Sequence, residues 1–191
     1  MAKKKGPEKG KDRPRPKKKR SGKGSGALTV AIAAVITIVA GLILISVYGG
    51  RAPWERPAKE ILVYIADDEG ERLAPKKTLI PDGSVESEVR EALRTAIRDG
   101  EGTIPESTRV LRVNIKQRSA SVDLSKEVSE DHPGGSTGEI LTVYSIVNTI
   151  ALNFPEIEEV QILIEGRKAE TLKGHIDISQ PLKPDRKIIR E

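Results

Sequence analysis

The sequence predicts an α+β domain in which two helices pack on one face of a mainly antiparallel sheet. A transmembrane helix and a disordered basic tail are expected to precede this domain. Three observations lead to this fold class. An unbroken apolar run occupies residues 27–48, two segments with the period of an amphipathic helix follow it, and short strand-like segments flank both of them. Strands and helices arranged in this way favour an antiparallel sheet with its helices on one side.

The apolar run has the sequence ALTVAIAAVITIVAGLILISVY and contains no charged residue. Its length is the length that an α-helix needs to cross the hydrocarbon core of a bilayer. In lipid, a helix satisfies its backbone hydrogen bonds within the segment itself. A buried core helix is the alternative, but such helices seldom run this far without a charge. We therefore expect residues 27–48 to form a transmembrane helix.

The residues before the run, 1–26, are rich in Lys, Arg, Gly, Pro and Ser. They carry twelve basic side chains against Glu8 and Asp12, a net charge of +10 within a chain whose net charge is +5. A segment of this composition has little to bury and is expected to be disordered. The positive charge is expected to hold it in the cytoplasm and also suits anionic lipid. Nucleic-acid binding is a competing interpretation, but no aromatic side chain interleaves the basic residues for stacking, and we expect no nucleic-acid partner.

The residues after the run distinguish an anchor from a cleaved signal peptide. A signal peptide has an apolar core of about 7–15 residues followed by a small-x-small cleavage site. The sequence SVYGGRAPW, from residue 46 onward, offers no clean site of this kind. We expect an uncleaved anchor, a linker at 49–58, a domain at 59–182 outside the cytoplasm, and a C-terminal tail at 183–191. The chain has no cysteine, which excludes disulfides and thiolate chemistry.

The domain is expected to begin with a strand at 60–66, which an Asp- and Gly-containing turn ends. A short second strand is predicted at 77–80. A helix follows, with Ser84 as its N-cap and Gly100 at its end. One face of this helix is apolar, and the other carries Glu and Arg side chains that are expected to be solvated.

Residues 109–116 and 120–124 alternate between apolar and polar side chains and predict a β-hairpin with one buried face. The alternation places Leu111, Val113 and Ile115 on the buried side of the first strand. A polar loop is expected to connect the hairpin to the next helix.

The second helix is predicted to begin at a capping box, Ser136 to Glu139, and to end before Pro155. Its face opposite the core is neutral, although 32% of the chain is charged. The residues of this neutral face are Thr142, Ser145, Asn148, Thr149 and Asn153. Two interpretations remain open: the helix packs on both sides within its own domain, or this face docks on a partner or on another copy. Neutral polar groups cost less to desolvate than charges, so these five are candidate partner-binding residues.

A second hairpin is expected from a strand at 160–164 and a returning strand at 169–172. Gly166 and Gly174 are interpreted as structural turn residues rather than as parts of a ligand site.

The sequence contains no pattern of a catalytic, cofactor-binding or metal-binding site. Its only histidines, His132 and His175, lack the spacing of metal ligands. Phosphate-binding loops, dinucleotide fingerprints and nucleophile elbows are also missing from the sequence. We therefore predict a protein that is not an enzyme and has no cofactor. Asp123, on the solvent side of its alternating strand, and His175 are weaker candidates for contact with a partner.

Six stretches of the domain carry a resemblance when they are taken in order. They are ILVYIADDEGERLAP, VREAL, IPESTRVLRVNI, ASVDLS, GSTGEILTVYSIVNTIALNFPEIEEVQILIEG and ETLKGHIDISQPL. Together they resemble the GerMN family, the module of sporulation and spore-germination proteins of the GerM type. The resemblance implies a bacterial envelope protein. With the topology expected from the apolar run and the basic tail, we predict a single-pass protein of the inner (cytoplasmic) membrane, with its domain on the periplasmic or extracytoplasmic side. It also implies a fold similar to the ring-building modules of secretion and sporulation complexes, and it supplies no catalytic residues.

The expected function is that of a non-catalytic, membrane-anchored module that binds or assembles with cell-envelope proteins or with copies of itself. A role in sporulation or germination follows from the resemblance. The alternative is a cell-wall hydrolase or a domain that binds peptidoglycan polysaccharide. A hydrolase of this class needs two carboxylates about 5–9.5 Å apart across a groove.

Overall fold

The computed structural model describes residues 25–48 and 57–190. The chain divides into two compact units, Met1–Glu55 and Arg56–Glu191. In the first unit, helix α1 is Ser25–Tyr48. In the second, the elements in chain order are β1 Ala58–Ala66, β2 Leu73–Pro81, α2 Val85–Asp99, β3 Val110–Lys116, β4 Ser119–Leu124, α3 Glu127–Glu130, α4 Ser136–Ala151 and β5 Glu159–Ile164. The predicted α+β class is confirmed. The predicted disorder of the basic tail and most of the predicted linker lie outside the described residues.

Helix α1 coincides with the apolar run. Within it, the 18 residues Thr29–Ser46 are strongly apolar, and none of them is buried. A helix that is apolar on all sides has no polar face to turn toward water. This helix is therefore long and apolar enough to cross a membrane.

The strands of the second unit form two sheets. Strands β1 and β2 pair antiparallel as a hairpin, and the other sheet has the order β3-β4-β5. Strand β3 is antiparallel to β4, as expected, but β5 is parallel to β4. The prediction of a hairpin between 160–164 and 169–172 is wrong, because residues 169–172 form no strand. Helix α4 lies between β4 and β5 in the chain and supplies the crossover that a parallel pair needs.

Strand β3 contains an irregularity that its sequence does not reveal. The pairing register with β4 shifts between Val110 and Arg112, so Leu111 is an extra residue in the strand. The shift places Val110 and Val113 in the core and leaves Leu111 42% exposed. The prediction that Leu111 lies on the buried side is wrong, because a bulge changes which residues face inward.

The core lies between the helices and the sheets. Helix α2 packs against β1, β2, β3 and α4, while α4 also packs against β1 and β5. The main cluster consists of Ile, Leu, Val and Ala side chains together with Phe154. A smaller cluster is formed by Tyr64, Leu73 and Leu141. Helix α2 begins as predicted, with the side chain of Ser84 accepting a hydrogen bond from the Ser87 N–H.

The segment after β5 follows the surface of the domain through residue 190. Val160 and Leu182 exchange two backbone hydrogen bonds of 2.8 and 2.9 Å. Farther on, the Leu73 N–H donates to Ile188 O at 2.8 Å, and the Arg190 N–H donates to Leu73 O at 2.7 Å. Residues 183–190, which belong to the expected C-terminal tail, are thus bound to the domain by backbone hydrogen bonds.

Candidate functional site

The neutral face of α4 is buried inside the domain. Thr142, Ser145, Asn148 and Thr149 are at most 1% exposed, and Asn153 is partly buried just beyond the helix. A docking face must be exposed, so the interpretation of these residues as an exposed docking face is wrong. The alternative, a helix packed on both sides within its own domain, describes the structure.

The buried face closes the free edge of strand β1. One edge of β1 pairs with β2, and the other meets three side chains that accept hydrogen bonds from its backbone N–H groups. Asn153 accepts from Leu62 at 2.9 Å, Thr149 from Tyr64 at 3.0 Å and Thr103 from Ala66 at 2.8 Å. The amide of Asn153 also donates to Leu62 O at 2.6 Å. These side chains satisfy backbone groups that a further strand would otherwise satisfy.

A second asparagine of this face holds the C-terminal segment. The side-chain amide of Asn148 donates to Asp185 O at 2.8 Å and accepts from the Asp185 N–H at 2.9 Å. An amide carries both a donor and an acceptor, so it can pair with a backbone peptide as another peptide would. A charged side chain in the same place lacks one of the two groups, which explains the neutrality of the face.

The predicted capping box at the start of α4 is wrong. Gly135 occupies the N-cap position, and no side chain caps the helix there; Ser136 is the first helical residue and is exposed. Glu139 is instead fully buried. It accepts hydrogen bonds from the N–H groups of Leu172 and His175, both at 3.0 Å, and from that of Ile176 at 3.4 Å. Glu139 therefore holds a loop that lies far along the chain.

The environment of Glu139 favours its charged form. Burial raises the pKa of its carboxyl, but the hydrogen bonds from backbone N–H groups and from the His175 ring lower that pKa further than burial raises it. The Nδ1 atom of His175 lies 2.9 Å from Glu139 Oε2. The His175 side chain is still 42% exposed, so one side of its ring faces solvent. Gly174, beside it, has a φ of 101°, which favours glycine.

Asp123 is buried, in contrast to its predicted position on the solvent side. Its Oδ1 atom accepts a hydrogen bond from the Gly166 N–H at 2.6 Å. Gly166 has a φ of 75° in the turn after β5, and this turn covers the Asp123 carboxylate. The side chain therefore stabilises a turn. A pocket of about 300 Å³ lies beside it and includes Arg112 and Lys116.

His132 is also buried and belongs to a chain of hydrogen bonds. Its Nδ1 accepts from the Gly134 N–H at 2.9 Å, and its Nε2 lies 3.0 Å from Thr142 Oγ1. The Thr142 hydroxyl donates to Thr103 O, so we assign the ring proton to Nε2. Burial lowers the pKa of His132 below its ordinary value. Among residues 25–48 and 57–190, no group of His, Asp and Glu side chains is placed to hold a metal ion.

An open groove of about 620 Å³ lies between α2 and the start of β3. Its lining residues are Arg94, Ile97, Arg98, Glu106, Thr108, Arg109, Val110 and Leu111. The sequence indicates only a solvated face for the α2 arginines. The groove forms where α2 meets the start of β3, and the residue pattern of either segment does not reveal that the two meet. The four-residue spacing of Arg94 and Arg98, which places both on one side of the helix, was the available signal.

Comparisons with known proteins agree with this fold. The model of the Germane family, described as "Sporulation and spore germination", matches residues 62–170. A search of curated proteins found no match. The tandem GerMN domains of the sporulation protein GerM from Bacillus subtilis are similar at 21% identity over 66% of this chain and 46% of that chain, with a TM-score of 0.53. The first GerMN domain of the same protein is 23% identical over 69% of this chain and 98% of that chain, with a TM-score of 0.49.

The tandem GerMN structure shows that the fold is shared. The family model covers more than half of the chain, from the middle of β1 to beyond β5. The resemblance to GerMN domains that the sequence suggests is thereby confirmed. The chain belongs to the Germane family of sporulation and spore germination, and its domain is of the GerMN type.

Proposed function

We propose that this chain is a single-pass membrane protein whose GerMN domain lies outside the cytoplasm and binds, or assembles with, other components of the bacterial envelope. Helix α1 carries this proposal, because the 18 residues Thr29–Ser46 are apolar and entirely unburied. Exposure of apolar surface to water costs about 25 cal/mol per Å². A bilayer removes that surface from water. In lipid, the helix satisfies its backbone hydrogen bonds internally and needs no further protein contact.

The charge distribution supports the orientation. The residues before α1 carry a net charge of +10, and the remainder of the chain is at −5. Segments rich in Lys and Arg stay on the cytoplasmic side of a membrane. We therefore assign the N-terminus to the cytoplasm and the GerMN domain to the opposite side.

The described side chains support a binding module more than an enzyme. Glu139 and Asp123 are buried carboxylates that accept hydrogen bonds from backbone N–H groups. His132 is bonded through both ring nitrogens. Groups used in this way serve the fold, whereas a general acid or base needs a free position toward a substrate. The family description, "Sporulation and spore germination", supports a role of the module in one of these two processes.

The absence of cysteine from the sequence gives a direct test of topology. A single cysteine introduced as Arg167→Cys lies in an exposed turn of the domain, and Lys9→Cys is the matched variant in the basic tail. We expect a membrane-impermeant maleimide to label Arg167→Cys in intact cells and Lys9→Cys only after permeabilisation. The reverse pattern would overturn the orientation. An intact mass lacking residues 1–48 would show that the apolar segment is a cleaved signal peptide.

His175 remains a candidate contact residue, because part of its ring is exposed. A photo-crosslinking amino acid at this position should capture an envelope protein or a second copy of the chain in living cells. The same amino acid at the exposed Glu156 serves as the control position. An identical crosslinking pattern at both positions would remove His175 from the proposed contact surface.

A further inference from the structure

We propose that the groove between α2 and β3 binds an extended acidic segment of a partner protein, which adds as a strand to the free edge of β3. Strand β3 is the first strand in the order β3-β4-β5, so one of its edges has no neighbouring strand among residues 57–190. The proposal deepens the proposed function, since it names the site and the kind of partner that an envelope-binding module would use. Its test does not depend on which side of the membrane the domain occupies.

The free edges of β1, β2 and β3 differ in how they are protected against the pairing of another strand. The free edge of β1 is closed by Asn153, Thr149 and Thr103. Strand β2 contains two prolines and two lysines in the sequence LAPKKTLIP, and such residues discourage the pairing of another strand. Strand β3, VLRVNIK, has no proline. Within residues 57–190, no side chain accepts a hydrogen bond from a backbone N–H of this strand, so its edge is available for strand addition.

The bulge in β3 supplies an apolar contact at this edge. It releases Leu111 from the ladder and leaves the side chain 42% exposed. In the described part of the domain, Leu79 is the other large apolar side chain with this degree of exposure. Ile97 and Val110 line the same groove as Leu111. An apolar residue of an added strand would bury surface against these three side chains.

Three arginines and one acidic residue, Glu106, line the groove, and this excess of positive charge favours an acidic ligand. The side chains of Arg94, Arg98 and Arg109 are 55%, 69% and 71% exposed. Their present partners are neighbouring carboxylates: Glu91 at 2.7 Å, Asp99 at 2.7 Å and Glu127 at 3.8 Å, respectively. A guanidinium has five N–H donors, and these contacts use one or two of them. Exposed pairs of this kind contribute little to stability, so an incoming carboxylate can share or replace them.

Thr108 lines the groove and is 5% exposed, and its Oγ1 has no hydrogen-bond partner among the described residues. This oxygen is itself buried, so the peptide is expected to contact the groove through the strand edge, the apolar side chains and the arginines. A phosphate or lipid headgroup would use the arginines but neither the free strand edge nor the apolar residues, and we therefore favour a peptide.

The test uses the full chain in nanodiscs of zwitterionic phosphatidylcholine and a displayed library of random dodecapeptides. Peptides are selected on the wild type and counter-selected on the Arg94→Glu/Arg109→Glu variant. We expect enriched sequences in which acidic residues alternate with β-branched or other apolar residues. A failure to enrich peptides, or enrichment of basic ones, would overturn the proposal while leaving the result of the maleimide labelling intact.

The best enriched peptide is then measured by fluorescence anisotropy. We expect at least tenfold weaker binding to Arg94→Gln/Arg109→Gln and to Leu111→Asp. Arg167→Glu, which changes an exposed arginine outside the groove, should bind within twofold of the wild type. N-methylation of alternate peptide amides should weaken binding tenfold in one register and little in the other, because a strand edge uses every second amide.

Thermal unfolding of each variant controls for loss of fold. A peptide whose affinity is indifferent to N-methylation in both registers does not add as a strand, and that outcome would overturn the proposal. The proposal would also be overturned if the arginine variants bind the peptide with unchanged affinity but no longer bind nanodiscs of anionic phosphatidylglycerol. Unchanged peptide affinity together with a loss of self-association would overturn it as well.

Discussion

Replacement of Glu139 by Gln tests whether a single buried carboxylate holds the loop after residue 171. Oε1 of Glu139 accepts hydrogen bonds from the N–H groups of Leu172 and Ile176, and Oε2 accepts from the N–H and ring of His175. Glutamine keeps one of the two side-chain oxygens. Its NH₂ group takes the place of the second oxygen and faces the donors that the second oxygen accepted from. At least one buried backbone N–H then loses its acceptor, which costs about 1–3 kcal/mol, and a neutral acceptor replaces a charged one at the other position.

We therefore expect Glu139→Gln to lower the free energy of unfolding by about 2–3 kcal/mol and Glu139→Ala by about 3–5 kcal/mol. For a domain of this size, the first value corresponds to a fall in Tm of about 6–10 °C. The full chain in detergent micelles is heated and followed by far-ultraviolet circular dichroism. Helix α1 stays helical in the micelle, so the transition reports on the GerMN domain. Hydrogen exchange of residues 170–178 should accelerate in the variant.

The pH dependence gives a second check. Because the pKa of Glu139 in the folded domain lies below its ordinary value of 4.5, the stability it contributes is fully present above that value. This stability is lost as the pH falls through the lower folded-state pKa. The gap in free energy of unfolding between wild type and Glu139→Gln should be constant from about pH 5 to 7 and should narrow at more acidic pH.

The control is Glu130→Gln, which removes only an exposed pair with Lys126 at 2.7 Å. This change should alter the free energy of unfolding by less than about 0.5 kcal/mol. If Glu139→Gln is as stable as the wild type at pH 7, or if the gap does not narrow in acid, the carboxylate does not hold the loop in the manner described.

Three further predictions follow from the other buried polar groups. Asn153→Ala opens the edge of β1, and we expect a loss of about 1–3 kcal/mol together with concentration-dependent association in light scattering. Asn114→Ala on the exposed face of β3 should cause neither effect, and equal behaviour of the two variants would contradict an edge-closing role. Asn148→Ala should release residues 183–190, seen as faster hydrogen exchange in that segment with little change in α2; unchanged exchange would contradict the assignment. His132 has a pKa below 6.5 in the folded domain, so its contribution to stability is full above pH 6.5 and falls as the pH decreases through its folded-state pKa. NMR titration should give His132 a lower pKa than in the unfolded chain, and an equal or higher value would contradict burial as the factor that governs its protonation.

Local patterns were sufficient for most elements. The apolar run became α1, the two amphipathic segments became α2 and α4, and alternating or apolar segments became β1, β3, β4 and β5. These predictions succeed because residues two to four positions apart determine which face of an element is apolar. The N-cap at Ser84 succeeds for the same reason, since its acceptor and donor are three residues apart.

The candidate site was less predictable. The sequence Ser136-Thr-Gly-Glu139 carries the same local signature as a capping box, yet Glu139 bonds to residues 33 to 37 positions away. The neutral face of α4 could be recognised as unusual, but its partners are in β1 and in the segment after residue 182. A sequence pattern identifies a polar side chain, but it does not identify the distant backbone groups with which that side chain forms hydrogen bonds.

The apolar helix, the division of charge on either side of it, the α+β class and the family could all be predicted from the sequence. Each of these depends on composition or on spacing within one segment. The parallel pairing of β5 with β4, the closure of the β1 edge by the neutral helix face and the open edge of β3 beside three arginines are visible only in the folded domain. These features depend on which remote segments meet, because a buried polar group is stable only where another part of the chain supplies its hydrogen-bond partner.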